Sequence, residues 1–118
     1  MISFIIPAFN ESKFLAATLE TINTAVSEVE NINKFEIIII DDCSKDSSEE
    51  VINNLKLRHN NIVFAKNEKN SGMGFSIKKG IKLVKYEKFM ILPGGNDVSS
   101  NAIASSLKFY NTADLVMQ

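Results

Sequence analysis

Apolar residues along this chain alternate between two rhythms. Ile2 to Pro7 is a short, mostly apolar run, and Phe35 to Ile40 is another, broken only by Glu36. β-Branched runs of this length predict strands buried on both faces of a parallel sheet. Ile62 to Ala65, Lys88 to Leu92 and Asp114 to Met117 predict three more strands. Between the strands the apolar positions follow a helical period. Phe14, Leu15, Leu19, Ile22 and Val26 predict a helix from Lys13 to about Val29, with Ser12 as its cap. Val51, Ile52 and Leu55 predict a second, capped by Ser47 or Ser48, with Glu49 and Glu50 in the first turn, where the helix dipole favours them. Gly74 to about Val84 predicts a third, with Ile77, Ile81 and Val84 facing inward, and Ala102 to Phe109 a fourth. The order β-α-β-α-β-α-β-α-β defines an α/β chain, a three-layer sandwich with a mostly parallel sheet, right-handed crossovers and helices on both faces. There is no internal repeat and no linker, so residues 1–118 are expected to form a single domain.

Strand ends then carry the chemistry. Ligands of open parallel sheets bind outside the carboxyl ends of the strands. Polar clusters stand at four such ends: PAFNE (7–11), DDCSKDSS (41–48), NEKNSGMG (67–74) and PGGND (93–97). Asp41 and Asp42 point to opposite faces if the strand persists, so they are expected to do different jobs. One would accept a hydrogen bond from a ligand; the other would close the turn through an Asx-type bond to Ser44. Glu11 stands at the start of a helix, where a carboxylate is favoured in any case. Phe9 either stacks on a base or anchors its loop. Gly72 and Gly74 precede a helix, a place for an anion. They match neither the dinucleotide fingerprint nor a phosphate-binding loop, because the third glycine and the Gly-Lys-Ser are both missing. Asn96 and Asp97 offer oxygen to a hard cation, though one carboxylate is few for magnesium.

Composition narrows the partners. A formal net charge of -1 over 118 residues leaves no basic footprint for nucleic acid. No apolar run approaches the roughly 20 residues that span a bilayer. The N-terminus lacks a basic region and meets Pro7 early, unlike a signal peptide. The single cysteine, Cys43, excludes an internal disulfide and fits a reducing, cytoplasmic setting. Its two acidic neighbours disfavour a thiolate, so it is not read as a nucleophile. His59, at the end of a helix, is given no chemistry.

The segments SFIIPAFNE, EIIIIDDCSKDSS and NSGMGFSIKKG, in this order and spacing, resemble the nucleotide-sugar-binding half of family 2 glycosyltransferases. Those enzymes have the Rossmann-like GT-A fold, and the polyprenyl-phosphate sugar synthases are the most similar group. The resemblance covers nearly all of the chain and implies a sheet truncated after about the fifth strand. It implies that Pro7, Phe9 and Glu11 line a nucleoside pocket. It implies that the Ile39 backbone and Asp41 meet the base and ribose of a UDP- or GDP-sugar, and that Asp42 supports the turn. Lys69, Gly72 and Gly74 would lie near that pocket, the glycines allowing close packing.

Two departures from the family stand out. The family carries Asp-x-Asp after the fourth strand, which holds a divalent metal, Mg or Mn, against the diphosphate. Here the counterpart is Pro93-Gly94-Gly95, and Asp97 is the one nearby carboxylate left to act as a metal ligand. The region that supplies the family's catalytic base follows the fifth strand, so the chain is expected to be inactive in isolation. A sheet face left partly uncovered is expected to favour a homodimer. The leading function is donor binding for inverting transfer of a sugar to an acceptor hydroxyl. The alternative is a non-catalytic nucleotide-binding or interaction module of the same fold. A phospho-accepting receiver domain is disfavoured, because it needs its acidic pair after the first strand, not the second.

Overall fold

The structure, a computed structural model, describes residues 1–30, 32 and 34–108, and the backbone of 115–117. Strands β1 (Ile2–Ala8), β2 (Phe35–Asp41), β3 (Ile62–Lys66), β4 (Phe89–Ile91) and β5 (Leu115–Met117) alternate with helices α1 (Leu15–Ser27), α2 (Ser48–Arg58), α3 (Met73–Leu83) and α4 (Ser100–Leu107). The sheet order is β3-β2-β1-β4-β5, and each neighbouring pair is parallel. All nine expected elements are present. Phe109 and Asp114, expected at the ends of α4 and β5, lie outside the described residues.

Strand alternation sorts the side chains into two faces. Ile2, Phe4, Ile6 and Ala8 of β1 join Ile37 and Ile39 of β2 in the main core. Leu15, Leu19, Ile22 and Val26 of α1, Ile52 and Leu55 of α2, and Ile103 and Leu107 of α4 complete it. Ile5, Ile38 and Ile40, equally buried, belong to the other set. On that face α3 lies against β1 and β2, which gives three layers. The one polar break in β2 is also explained. The Glu36 carboxylate accepts bonds from Ser3 Oγ and the Lys85 backbone, both at 2.6 Å, which ties the chain after α3 to the amino end of the sheet.

Helix α3 docks differently from the sequence expectation. Its buried residues are Ser76 and Gly80, whereas Ile77 and Val84 are half-buried and Ile81 is exposed. The reason is distance. A Cβ built on Gly80 would stand 2.5 Å from Ile5 Cγ2, so the helix backbone sits almost directly on the sheet. Small residues one turn apart permit that approach, and the larger residues are turned aside. Gly80→Ala should therefore lower stability by roughly 1–3 kcal/mol through overpacking, despite alanine's better helix propensity. Urea denaturation checks this, and an unchanged or raised midpoint would contradict the close contact.

Candidate functional site

The loops after β1 and β4 both lead to helices on the main-core face, α1 and α4, whereas the loop after β3 crosses to α3 on the other face, so the carboxyl edge opens between the β1 loop and the start of α3. The loops after β2 and β3 border the same edge. Three hydrogen bonds sew the β1–α1 loop to the β2–α2 loop. Asn10 N donates to Ser44 Oγ (2.9 Å), Lys45 N donates to Asn10 Oδ1 (2.9 Å), and Ser12 N donates to Asp46 Oδ2 (3.2 Å). Asn10 takes a left-handed backbone (φ 53°) to present both its N–H and its side chain to that loop. Ser12 does not cap α1; its N–H serves this seam. The first turn of α2 is likewise served by Asp46, whose Oδ1 accepts from Ser48 N at 2.9 Å, and not by the Ser47 side chain.

The paired aspartates face different loops, and the turn that the resemblance gives to Asp42 is closed by Asp41. Asp41, 1% exposed, is turned toward its own loop. Its carboxylate accepts from Ser44 Oγ, and from Ser44 N at 3.3 Å. It is Asp41 that closes the turn. Asp42 leaves the strand toward α3, where its Oδ1 accepts from Ser71 N (2.7 Å) and Asn67 Nδ2 (2.9 Å), and its Oδ2 from Gly72 N (2.9 Å). Burial pushes the Asp42 carboxyl upward. The bonds from Ser71, Asn67 and Gly72 outweigh it and hold the group below the usual aspartate value. Gly72 takes φ 92°, a left-handed turn that aims its N–H at Asp42 and opens α3.

A niche of about 80 Å³ lies beside Asp42, lined by Pro7, Ala8, Phe9, Glu11, Asp42, Met73 and Ser76. Pro7, Phe9 and Glu11 are thus brought together as expected from the sequence, and Asp42 joins them in place of Asp41. Ile39 does not reach the niche. It is wholly buried in mid-strand, flanked by Ile6 on one side and Phe64 on the other. Lys69 lines a larger neighbouring hollow with Lys66, Lys79 and Phe75. Gly74 has open space where a Cβ would stand, so close packing is not its role; that role falls to Gly80.

The sequence reading did not single out Asn67 or Thr18. Asn67 is 1% exposed. It bridges Asp42 and Ser76, each at 2.9 Å from its Nδ2, and accepts from Lys79 Nζ at 3.3 Å. A polar residue directly after an apolar strand was the available signal. Thr18 Oγ1 donates to Gly94 O at 2.9 Å and fixes the loop after β4 against α1.

Glu11 lies among other acids. Burial, then Asp97, then Asp46 push its carboxyl above the usual glutamate value. Its folded value therefore lies above its unfolded one, near 4.3. Ionised Glu11 weakens the fold above the raised value, and the penalty disappears below the unfolded value. Glu11→Gln should raise the melting temperature at pH 7.5 and leave it unchanged at pH 4. A gain that is the same at both pH values would show that charge is not its cause.

An open parallel sheet in the order β3-β2-β1-β4-β5 with helices on both faces defines a Rossmann-like α/β fold. Residues 3–93 match the model of glycosyl transferase family 2, and the chain belongs to that family. The chain is 32% identical over 98% of its length to a dolichyl-phosphate beta-glucosyltransferase of Trichomonas vaginalis, of which it spans 39%. It is 30% identical over 93% of its length to a poly(ribitol-phosphate) beta-glucosyltransferase of Bacillus spizizenii, of which it spans 17%. Among solved structures, S. aureus TarS 1-349 in complex with UDP superposes with a TM-score of 0.73 at 19% identity, over 94% of this chain and 32% of that one. The mannosyltransferase PcManGT from Pyrobaculum calidifontis, in complex with GDP-Man and Mn2+, gives 0.74 at 15% identity, over 91% of this chain and 31% of that one. The GT-A fold expected from the sequence is therefore shown. Among the described residues no helix is long and apolar enough to cross a membrane.

Proposed function

We propose that this chain is the donor-binding part of a sugar transferase, and that a uridine or guanosine diphosphate sugar binds at the carboxyl edge of the sheet, in the crevice between the β1 loop and the start of α3. The observation that carries this is the niche beside Asp42, where Pro7, Phe9 and Glu11 meet the Asp42-anchored start of α3. Its volume, about 80 Å³, is below the ~150 Å³ of a benzene-sized cavity, so it suits the edge of a planar ring rather than a whole nucleotide. Phe9 and Met73, 40% and 60% exposed at its rim, offer apolar surface to the ring faces. The family membership and the UDP- and GDP-Man-bound neighbours support the same ligand class. In the complete enzyme the sugar would pass to an acceptor hydroxyl with inversion at the anomeric carbon.

Base–aromatic stacking contributes about 1–3 kcal/mol per base. Calorimetry with UDP and GDP should detect binding to one of the two, and Phe9→Ala should weaken it by roughly 5-fold or more. Phe9 is exposed, so the variant should keep its fold, and Leu57→Ala, 85% exposed on α2, serves as a surface control. Equal affinity in wild type and Phe9→Ala would remove Phe9 from the site. No binding of either nucleotide would favour the reading of a non-catalytic interaction module.

A further inference from the structure

We propose that this chain engages the nucleoside diphosphate without a protein-held divalent ion, because the loop after β4 is built as a structural tie to α1 and Glu11 and Asp97 fill the space a metal-ligating side chain would need. The proposal rests on the reading that the crevice takes a nucleoside diphosphate sugar, and it departs from the Mn2+-bound neighbour.

The donor set is the first ground. Pro93, Gly94 and Gly95 bring no side-chain oxygen to the crevice. The oxygens that remain, apart from the Glu11 and Asp97 carboxylates, are largely committed. Gly94 O accepts from Thr18 Oγ1 at 2.9 Å, and Asn96 Oδ1 accepts from Thr21 Oγ1 at 2.8 Å. Both bonds come from α1. Asp41 and Asp46 are occupied by donors from their own and the neighbouring β1 loop, and Asp42 by Asn67, Ser71 and Gly72 of the loop after β3. Among the described residues no three histidine, cysteine, aspartate or glutamate side chains converge as a metal would require. Magnesium at a diphosphate is commonly held by one or two protein carboxylates together with phosphate and water oxygens, and residues 93–95 supply no carboxylate.

Space is the second ground. A Cβ on Gly95 would lie 3.1 Å from Asp97 Oδ2 and 3.1 Å from Glu11 Oε2. A Cβ on Gly94 would lie 3.2 Å from Ala8 Cβ and 3.4 Å from Glu11 Cγ. A Cβ at Gly94 would need Ala8 to give by a few tenths of an ångström, and a Cβ at Gly95 would need the same of the Asp97 and Glu11 carboxylates. The loop thus relies on glycine at the place where a metal site would need side-chain oxygen.

The experiment titrates UDP and GDP into the 118-residue chain by calorimetry, in EDTA and in millimolar MnCl2. Electron paramagnetic resonance of Mn2+ is recorded in parallel, with and without the nucleotide. The expected result is the same dissociation constant within twofold in both buffers, and a free-Mn2+ signal that the chain does not diminish beyond what the nucleotide alone removes. Tightening by tenfold or more with Mn2+ would overturn the inference while leaving the proposed ligand intact. If that tightening then disappears in the double variant Glu11→Gln, Asp97→Asn, the two carboxylates are the metal ligands, and the inference is overturned in favour of a relocated site. No nucleotide binding in either buffer would overturn both the proposed function and this inference.

Discussion

Asp42→Ala should lower the stability of the chain by about 3–5 kcal/mol, near the upper end for a single substitution. The carboxylate is 6% exposed and receives three N–H donors, from Asn67, Ser71 and Gly72. Bonds to a charged acceptor contribute about 1.5–3 kcal/mol each, and donors left without a partner add a desolvation cost. The substitution strips all three at once. It also releases the start of α3, which lines one side of the niche, so nucleotide binding should be lost together with stability. The pH dependence provides an independent check. The folded value of Asp42 is depressed, so its contribution is complete above the unfolded value, near 3.9, and fades as pH falls through the folded one. Wild type and Asp42→Asn should therefore differ most at neutral pH and converge in acid. Chemical denaturation at pH 7 and at pH 3 measures both, and a pH-independent difference would show that the charge of Asp42 is not what holds the loop.

Asp41→Ala should cost about 2–4 kcal/mol and weaken nucleotide binding tenfold or more, although Asp41 is not among the residues lining the niche. The effect travels through a short chain of hydrogen bonds. Asn10 N donates to Ser44 Oγ, and Ser44 Oγ donates to Asp41. Removing the carboxylate frees Ser44, and with it the loop that carries Phe9 and Glu11. Asp41 is thus a positioning residue, and a test should separate that role from contact. Ser44→Ala should reproduce much of the binding loss, and the double variant should lose little more than Asp41→Ala alone. Additive losses by calorimetry would mean that the two act independently and that the relay is wrong.

The placement of the two aspartates shows where sequence reasoning reaches its limit. Alternation along β2 was enough to say that Asp41 and Asp42 face opposite sides. It was not enough to say which side faces the niche. That depends on which loop each carboxylate meets. The donors to Asp42 come from residues 25 to 30 positions away in the chain. The niche appears only once β1 and β2 lie in register, with Ala8 beside Asp41 and Asp42 N bonded to Ala8 O. The expectation for α3 failed for a similar reason. Ile77, Ile81 and Val84 have the correct period, but Gly80 meets Ile5 so closely that the helix rotates its small residues inward.

The sequence by itself determined the order and type of all nine elements, the parallel sheet and the edge where polar clusters gather. These follow from local periodicity, which each segment carries alone: strand runs buried on two faces, and helices with one apolar stripe. It also showed the absence of carboxylates at Pro93-Gly94-Gly95, because composition needs no fold to be read. Tertiary structure alone decided which aspartate lines the niche, that Ile39 is sealed between two strands, and that Asn67 joins Asp42 to α3. It alone showed that the glycines after β4 face Glu11 and Asp97. Each of these is a contact between segments distant in the chain. A hydrogen bond or a close approach of that kind is set by strand register and helix rotation, which arise when the whole core packs.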